Sequence, residues 1–120
     1  MSKHFIHDFL AAHFSRFNYR IITPEAAREA MALPETLVLD VRTPAEYAEA
    51  HIPGSINIPV SELRRDARRR LPDKTQLIVV YCLSGARARA ASRILAGRDY
   101  TNVATFGGIM QWPYETVKEK

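Results

Sequence analysis

Apolar residues recur along this chain with two different periods. Across residues 4–17, Phe5, Ile6, Phe9, Leu10, Phe14 and Phe17 fall mostly three or four apart, with His7, Asp8, Ser15 and Arg16 elsewhere around the wheel. That spacing predicts an amphipathic helix occupying a separate N-terminal segment, residues 1–18, whose apolar face packs on the rest of the fold or offers a homodimer interface. The stretch is short and its polar face carries few cations, which argues against a helix lying on a membrane. For His4, His7 and His13 no complete set of metal ligands is apparent, so no metal is expected there.

From Tyr19 onward, short apolar runs bounded by Pro and Gly alternate with helical spacing. A strand over residues 20–22 precedes Thr23-Pro24-Glu25, where Thr suits the cap, Pro the first helical position and the acid the first turn, with the helix running to about Met31. Residues 36–41 are apolar but for Thr36 and Asp40 and too short for an ordinary helix, the pattern of a buried strand. Thr43-Pro44-Ala45-Glu46 reads as a capping box opening a helix to about Ala50. His51-Ile52-Pro53-Gly54 forces a turn, and a brief strand over residues 55–58 follows. Ser61 is placed to cap a third helix, closed by Leu71-Pro72-Asp73. The most apolar stretch, residues 76–81, is the central strand, and residues 86–95 form a helix stopped by Gly97. A last strand spans residues 103–106, and Gly107-Gly108 turns into a short helix near Trp112. Strands alternating with helices predict an α/β domain over residues 19–120, a mostly parallel sheet with helices on both faces.

Composition narrows the class. The 120 residues suit one domain of this kind, and 47% hydrophobic with 25% charged residues excludes a disordered or fibrous chain. Cys82 is the sole cysteine, so neither an internal disulfide nor a closed Cys-rich zinc site can be built. The net charge of +4 makes anionic partners worth testing, and five arginines crowd between Arg64 and Arg70. No apolar run approaches a membrane span and no secretory pattern opens the chain, so the expected compartment is the cytoplasm.

In parallel sheets, ligands bind at the carboxyl ends of the strands. Asp40-Val41-Arg42, Cys82-Leu83-Ser84-Gly85-Ala86-Arg87 and Gly107-Gly108 all fall there. Gly85 permits a tight reversal, and the loop runs into a helix whose first amides lack partners, so several N–H groups can converge on the sulfur. Such a setting favours the thiolate. Two chemistries use it. Attack on phosphorus, as in the cysteine phosphatases, requires Arg after five intervening residues, but here Arg87 follows four, Arg89 follows six and Ala88 holds the required place. The shorter loop better suits attack on divalent sulfur, leaving a persulfide held by the same amides. An arsenate-reducing version of the first chemistry would want further cysteines.

The order of Leu37-Val38-Leu39-Asp40-Val41-Arg42, Glu46-Tyr47, the His51-to-Pro59 stretch HIPGSINIP, the Cys82–Arg87 loop, and Gly107-Gly108 with Trp112 resembles the single-domain rhodaneses. The resemblance covers about residue 19 to the C-terminus. It implies a rhodanese-like domain with a five-stranded sheet, and a sulfurtransferase in which Cys82 takes sulfane sulfur from a small donor, thiosulfate or a persulfide, and passes it to cyanide, a thiol or a protein thiol. It implies no metal and no organic cofactor. Cys82 matches the nucleophile, and the backbone of Leu83, Ser84, Gly85, Ala86 and Arg87 matches the substrate cradle. Rhodaneses that use thiosulfate well carry cations at the second and third loop positions, here Leu83 and Ser84, so a less charged donor fits better.

Other matched residues read as scaffold. Asp40, Arg42 and Glu46 are expected to form a local ion-pair and capping network, Arg42 and Glu46 being four apart. His51 is expected to fix its turn, since a thiolate activated by the loop needs no base, and Trp112 to cover the core. The arginines of residues 64–70 belong to a solvated helix face or dock an acidic acceptor protein; nucleic acid is not expected, as no aromatics interleave with them. The alternative function is a binding module on the same scaffold, docking a partner through that cluster with Cys82 idle.

Overall fold

The computed structural model describes residues 13–14 and 18–119. Five parallel strands form the body of a sheet in the order β2-β6-β5-β3-β4, with β2 Arg20–Ile21, β3 Leu37–Asp40, β4 Ile56–Asn57, β5 Ile78–Cys82 and β6 Val103–Gly108. A sixth strand, β1 His13–Phe14, pairs antiparallel with β2 at the edge. Those two residues therefore depart from the helix expected across residues 4–17; the remainder of that helix, and its proposed dimer face, lie outside the described residues.

The helices are α1 Pro24–Met31, α2 Pro44–Glu49, α3 Val60–Arg70 and α4 Ala86–Ala96, followed by a single 3₁₀ turn at Ile109–Gln111. Two start as the sequence dictates: Thr23 Oγ1 accepts from the Ala26 N–H at 3.0 Å, and Thr43 and Glu46 form the reciprocal capping box. The third does not. Pro59 is the N-cap of α3, without a side-chain cap, so Ser61 lies inside the first turn. Gly97 closes α4 in the ordinary right-handed region, and the left-handed residue that ends the segment is Asp99 at φ 70°.

Side-chain alternation along the strands divides the interior into two apolar layers. Ile78, Val80 and Cys82 join Leu39, Val41 and the inner faces of α3 (Leu63, Ala67) and α4 (Ala88, Ala91, Leu95). Val79 and Tyr81 point to the opposite layer with Val38, Ala104, Phe106 and the α1 alanines Ala26, Ala27 and Ala30. All five residues of β5 are buried, as a central strand of a two-sided parallel sheet requires. None of the helices among the described residues is long and apolar enough to cross a membrane.

The last strand runs further than expected. A register shift between Val80 and Tyr81 pairs Tyr81 with Gly107 and Cys82 with Gly108, a bulge stabilised by Thr105 Oγ1 accepting from the Gly107 N–H at 3.1 Å. Gly107 and Gly108 are thus ladder residues beside the cysteine rather than a turn.

Candidate active site

Cys82 closes β5 with its side chain in the α3 and α4 layer and is only 1% exposed. The chain leaves the strand through the exposed Leu83 and Ser84, then reverses at Gly85, whose φ of +131° few L-residues adopt. That reversal returns the Gly85 N–H to the sulfur, at 3.0 Å from Sγ. The carbonyl of Gly107 stands 3.8 Å away on the other side. Of the several amides expected to converge on the sulfur, only that of Gly85 reaches Sγ itself among the described residues. The next amides open α4, which has no side-chain cap. They form the electropositive end of an eleven-residue helix placed directly after the loop. The Arg89 guanidinium adds a cation over the same turn, its Nη1 2.8 Å from where a side chain on Gly85 would project.

The two halves of the loop are tied to different elements. Leu83 is held from the 3₁₀ turn that follows β6, its carbonyl accepting from the Met110 N–H at 3.1 Å. Gly108 packs directly beneath it and donates its own N–H to Gln111 Oε1 at 2.9 Å. Arg87 is held from α2 by a two-pronged ion pair, Nη1 and Nη2 lying 2.7 and 3.0 Å from the Glu46 carboxylate. Glu46 also accepts from the Thr43 N–H and hydroxyl. The Arg87 hydrogen bonds, helped by those of Thr43 and opposed by partial burial, bring the Glu46 carboxyl down to about 2. The Arg87 pKa rises for the same reason, with a smaller contribution from charge at Cys82.

Glu46 is therefore the partner of Arg87, not of Arg42 as expected from their spacing. Arg42 precedes the cap of α2 and turns inward instead. Its Nη2 lies 2.7 Å from Asp40 Oδ2, its Nε 3.1 Å from both carboxylate oxygens, and Nη2 also donates to the Ala50 carbonyl at 2.6 Å. Asp40 is 0% and Arg42 4% exposed, so this is a buried bracket between the end of β3 and the end of α2.

His51 sits in the bracketed turn. Its ring stacks on Tyr47 with centroids 3.8 Å apart, and Nδ1 lies 2.7 Å from the Tyr47 carbonyl. A carbonyl only accepts, so Nδ1 carries the proton. Tyr81, which no motif marks, anchors the same turn from the central strand. Its hydroxyl accepts from the Ile52 N–H at 3.0 Å and meets Ser55 Oγ at 3.1 Å, while Ser55 donates to the Ile52 carbonyl at 2.7 Å. A tyrosine inside an otherwise apolar central strand was the available signal, because a buried hydroxyl needs a partner. Trp112 packs on Phe106 and Tyr114, with centroids 5.1 and 4.9 Å apart, as a cover over the α1 layer.

The mouth of the loop is apolar, with Leu83 40% and Met110 68% exposed. No cluster of His, Cys, Asp and Glu suited to a metal occurs among the described residues. The loop thus presents the Cys82 sulfur, one amide bonded to it, further amides at a helix start and two arginines.

Comparison with known proteins gives this arrangement a family. The rhodanese-like domain model matches residues 23–114. The chain is 36% identical to the thiosulfate sulfurtransferase PspE of Escherichia coli over 80 residues, covering 67% of this chain and 77% of that protein. It is 31% identical to the thiosulfate:glutathione sulfurtransferase of Saccharomyces cerevisiae, spanning 64% of this chain and 63% of the yeast protein. Among solved structures, a rhodanese with anions from E. coli superposes with a TM-score of 0.65 at 35% identity, over 69% of this chain and 98% of that one. A rhodanese-related protein from Thermoplasma volcanium gives 0.73 at 36% identity, over 84% of this chain and all of the other. Fold, loop and relatives agree: the chain belongs to the rhodanese-like domain family and is a sulfurtransferase.

Proposed function

We propose that Cys82 carries sulfur as a persulfide between a donor of low charge and a thiol or cyanide acceptor. The Cys82 thiolate attacks the outer sulfur of the donor. A new S–S bond forms on Cys82, the donor's own S–S bond breaks, and its thiolate leaves with the bonding pair. The Gly85 N–H and the first amides of α4 stabilise the negative terminal sulfur. An acceptor thiolate or cyanide then attacks that sulfur, and Cys82 returns as thiolate. With no second cysteine in the chain, the sulfur has to leave to an outside acceptor.

The observation that carries this reading is the 3.0 Å hydrogen bond from Gly85 to Sγ at the start of α4. It supports a charged sulfur where a merely structural buried cysteine would need none. The exposed Leu83 and Ser84 support a persulfide of a small thiol over thiosulfate, since neither side chain neutralises a dianion.

Intact-mass spectrometry tests this. Glutathione persulfide should add one sulfur atom to the wild type and none to Cys82→Ser, and cyanide should remove it as thiocyanate. An unchanged mass with glutathione persulfide, thiosulfate and mercaptopyruvate alike would sink the proposal.

A further inference from the structure

We propose that the groove between α3 and α4 docks an acidic, thiol-bearing segment of the protein that receives the sulfur, an inference about the acceptor that rests on the sulfur-transfer reading. Two recesses make up this groove. One of about 420 Å³ is lined by Val60, Ser61, Arg64, Ala90, Arg93 and Ile94. The other, about 260 Å³, is lined by Ala67, Arg68, Lys74, Arg98, Asp99 and Tyr100. A hydrogen bond links their walls, Arg98 Nη1 of the second donating to the Arg64 carbonyl of the first at 2.6 Å.

The charge of this groove is one-sided. Its linings hold Arg64, Arg68, Lys74, Arg93 and Arg98, all exposed, against the single carboxylate of Asp99. The cationic excess there matches that of the whole chain. Elsewhere on α3, Arg65 pairs with Glu62 and Asp66, Arg69 with Asp66, and Arg70 is taken up by the Asn57 carbonyl. Arg64 and Arg68 have no carboxylate in ion-pair range among the described residues. A helix face that is only solvated has no reason to segregate its charges in this way.

The floor and position of the groove define the occupant further. Val60, Ala90 and Ile94 give it apolar footing, which suits an amphipathic acidic segment. Nucleic acid is less suited because the one aromatic ring, Tyr100, is 3% exposed with its hydroxyl bound to the Ala67 and Leu71 carbonyls, leaving no face for a base to stack on. Ala90 is four residues into α4 from Ala86, roughly 6 Å along the axis at the α-helical rise. A segment lying in the groove therefore ends beside the Cys82 loop.

The test uses the full chain and a labelled synthetic peptide of alternating Glu and Leu ending in Cys, its Gln and Leu counterpart, and a labelled single-stranded oligonucleotide. Binding is read by fluorescence anisotropy on Cys82→Ser, so it needs no sulfur chemistry. Transfer from persulfidated wild type to each peptide thiol is read separately. The acidic peptide should bind about tenfold more tightly than its neutral counterpart at low salt, as expected for a few exposed ion pairs. The preference should collapse near 1 M salt, where screening acts within about 3 Å, and in Arg64→Glu with Arg68→Glu. Arg64→Gln with Arg68→Gln serves as the milder variant and should lose part of it, with cyanide turnover unchanged in both. Equal binding of the two peptides, or a preference surviving both double variants, would overturn the proposal. So would tighter binding of the oligonucleotide. A protein that binds the acidic peptide yet never takes up sulfur would instead refute the transfer reading alone.

Discussion

Gly108 lies so close under Leu83 that a side chain on it would collide with the Leu83 carbonyl and stand 2.6 Å from the Ser84 nitrogen. Its own backbone is extended, φ −152° and ψ 170°, so any residue could adopt it. What requires glycine there is approach, not conformation. The end of β6 serves as the back wall of the Cys82 loop, and the bulge at Thr105 to Gly107 brings that wall to the cysteine.

Gly108→Ala should therefore fold but displace the loop. A methyl forced against rigid backbone costs about 1 to 3 kcal/mol, and an ångström of misplacement at the nucleophile costs about a hundredfold in rate. Urea denaturation together with cyanide kinetics checks both effects. An active, equally stable variant would mean that the back wall is soft.

Glu46→Gln should loosen the other half of the loop. The variant keeps an acceptor for the Thr43 amide but loses the charge that grips Arg87, so kcat/KM should fall severalfold. The stability effect has a defined pH window. The Glu46 carboxyl is depressed from its ordinary 4.5 to about 2 by Arg87 first, so its contribution is present above pH 4.5 and vanishes as pH falls toward 2. Both side chains are about a third exposed, 34% and 29%, which limits that contribution to less than about 1 kcal/mol. Urea melts of wild type and variant should differ at pH 5 and converge only below the folded pKa, at about pH 1.5.

These two contacts also show where the sequence was legible. Caps are local, so Thr23, Pro24, Thr43 and Glu46 declare their helices from neighbouring residues alone. The cysteine loop was equally local, since a cysteine after an apolar strand, a glycine and a helix start are contiguous. Partner choice was not. Arg42 and Glu46 sit at helical spacing, yet Arg42 lies before the cap and Glu46 is claimed by Arg87, 41 residues away. Nor could spacing tell that Gly107-Gly108 continues a strand, because that depends on Leu83 crossing above it. Ser61 looked like a cap, but Val60 is already helical, its N–H held by the Val41 carbonyl at 3.0 Å.

The Asp40–Arg42 bracket predicts a strong double-mutant signature. Arg42→Met leaves a fully buried carboxylate without its cation, although the backbone N–H of residue 42, at 2.9 Å in the wild type, can still donate to it. Removing one partner of a buried pair costs about 3 to 5 kcal/mol, whereas replacing both by apolar groups is often nearly neutral. Arg42→Met should thus be far less stable than Asp40→Leu with Arg42→Met, measured by chemical denaturation in a complete cycle. Additive losses would show that the two side chains act independently.

The donor preference proposed for Cys82 turns on two side chains at the mouth, which makes it reversible by design. Leu83 is 40% exposed and Ser84 is exposed, so neither is needed for the core and either can be exchanged without disturbing the fold. Thiosulfate arrives as a dianion and loses hydration on entering the loop, and a persulfide of a small thiol carries less charge at its reactive end. Leu83→Arg supplies the missing counter-charge. One exposed pair is worth about 1 kcal/mol at most, and a double charge on the substrate raises that, so the KM for thiosulfate should fall about fivefold to tenfold at low salt. KM for glutathione persulfide should rise or stay the same, and the thiosulfate gain should shrink as salt screens it. Steady-state kinetics with both donors at two salt concentrations decides the matter. Improvement with both donors alike would trace the effect to the general reactivity of Cys82, whereas improvement with thiosulfate alone would make the charge of residue 83 a determinant of donor choice.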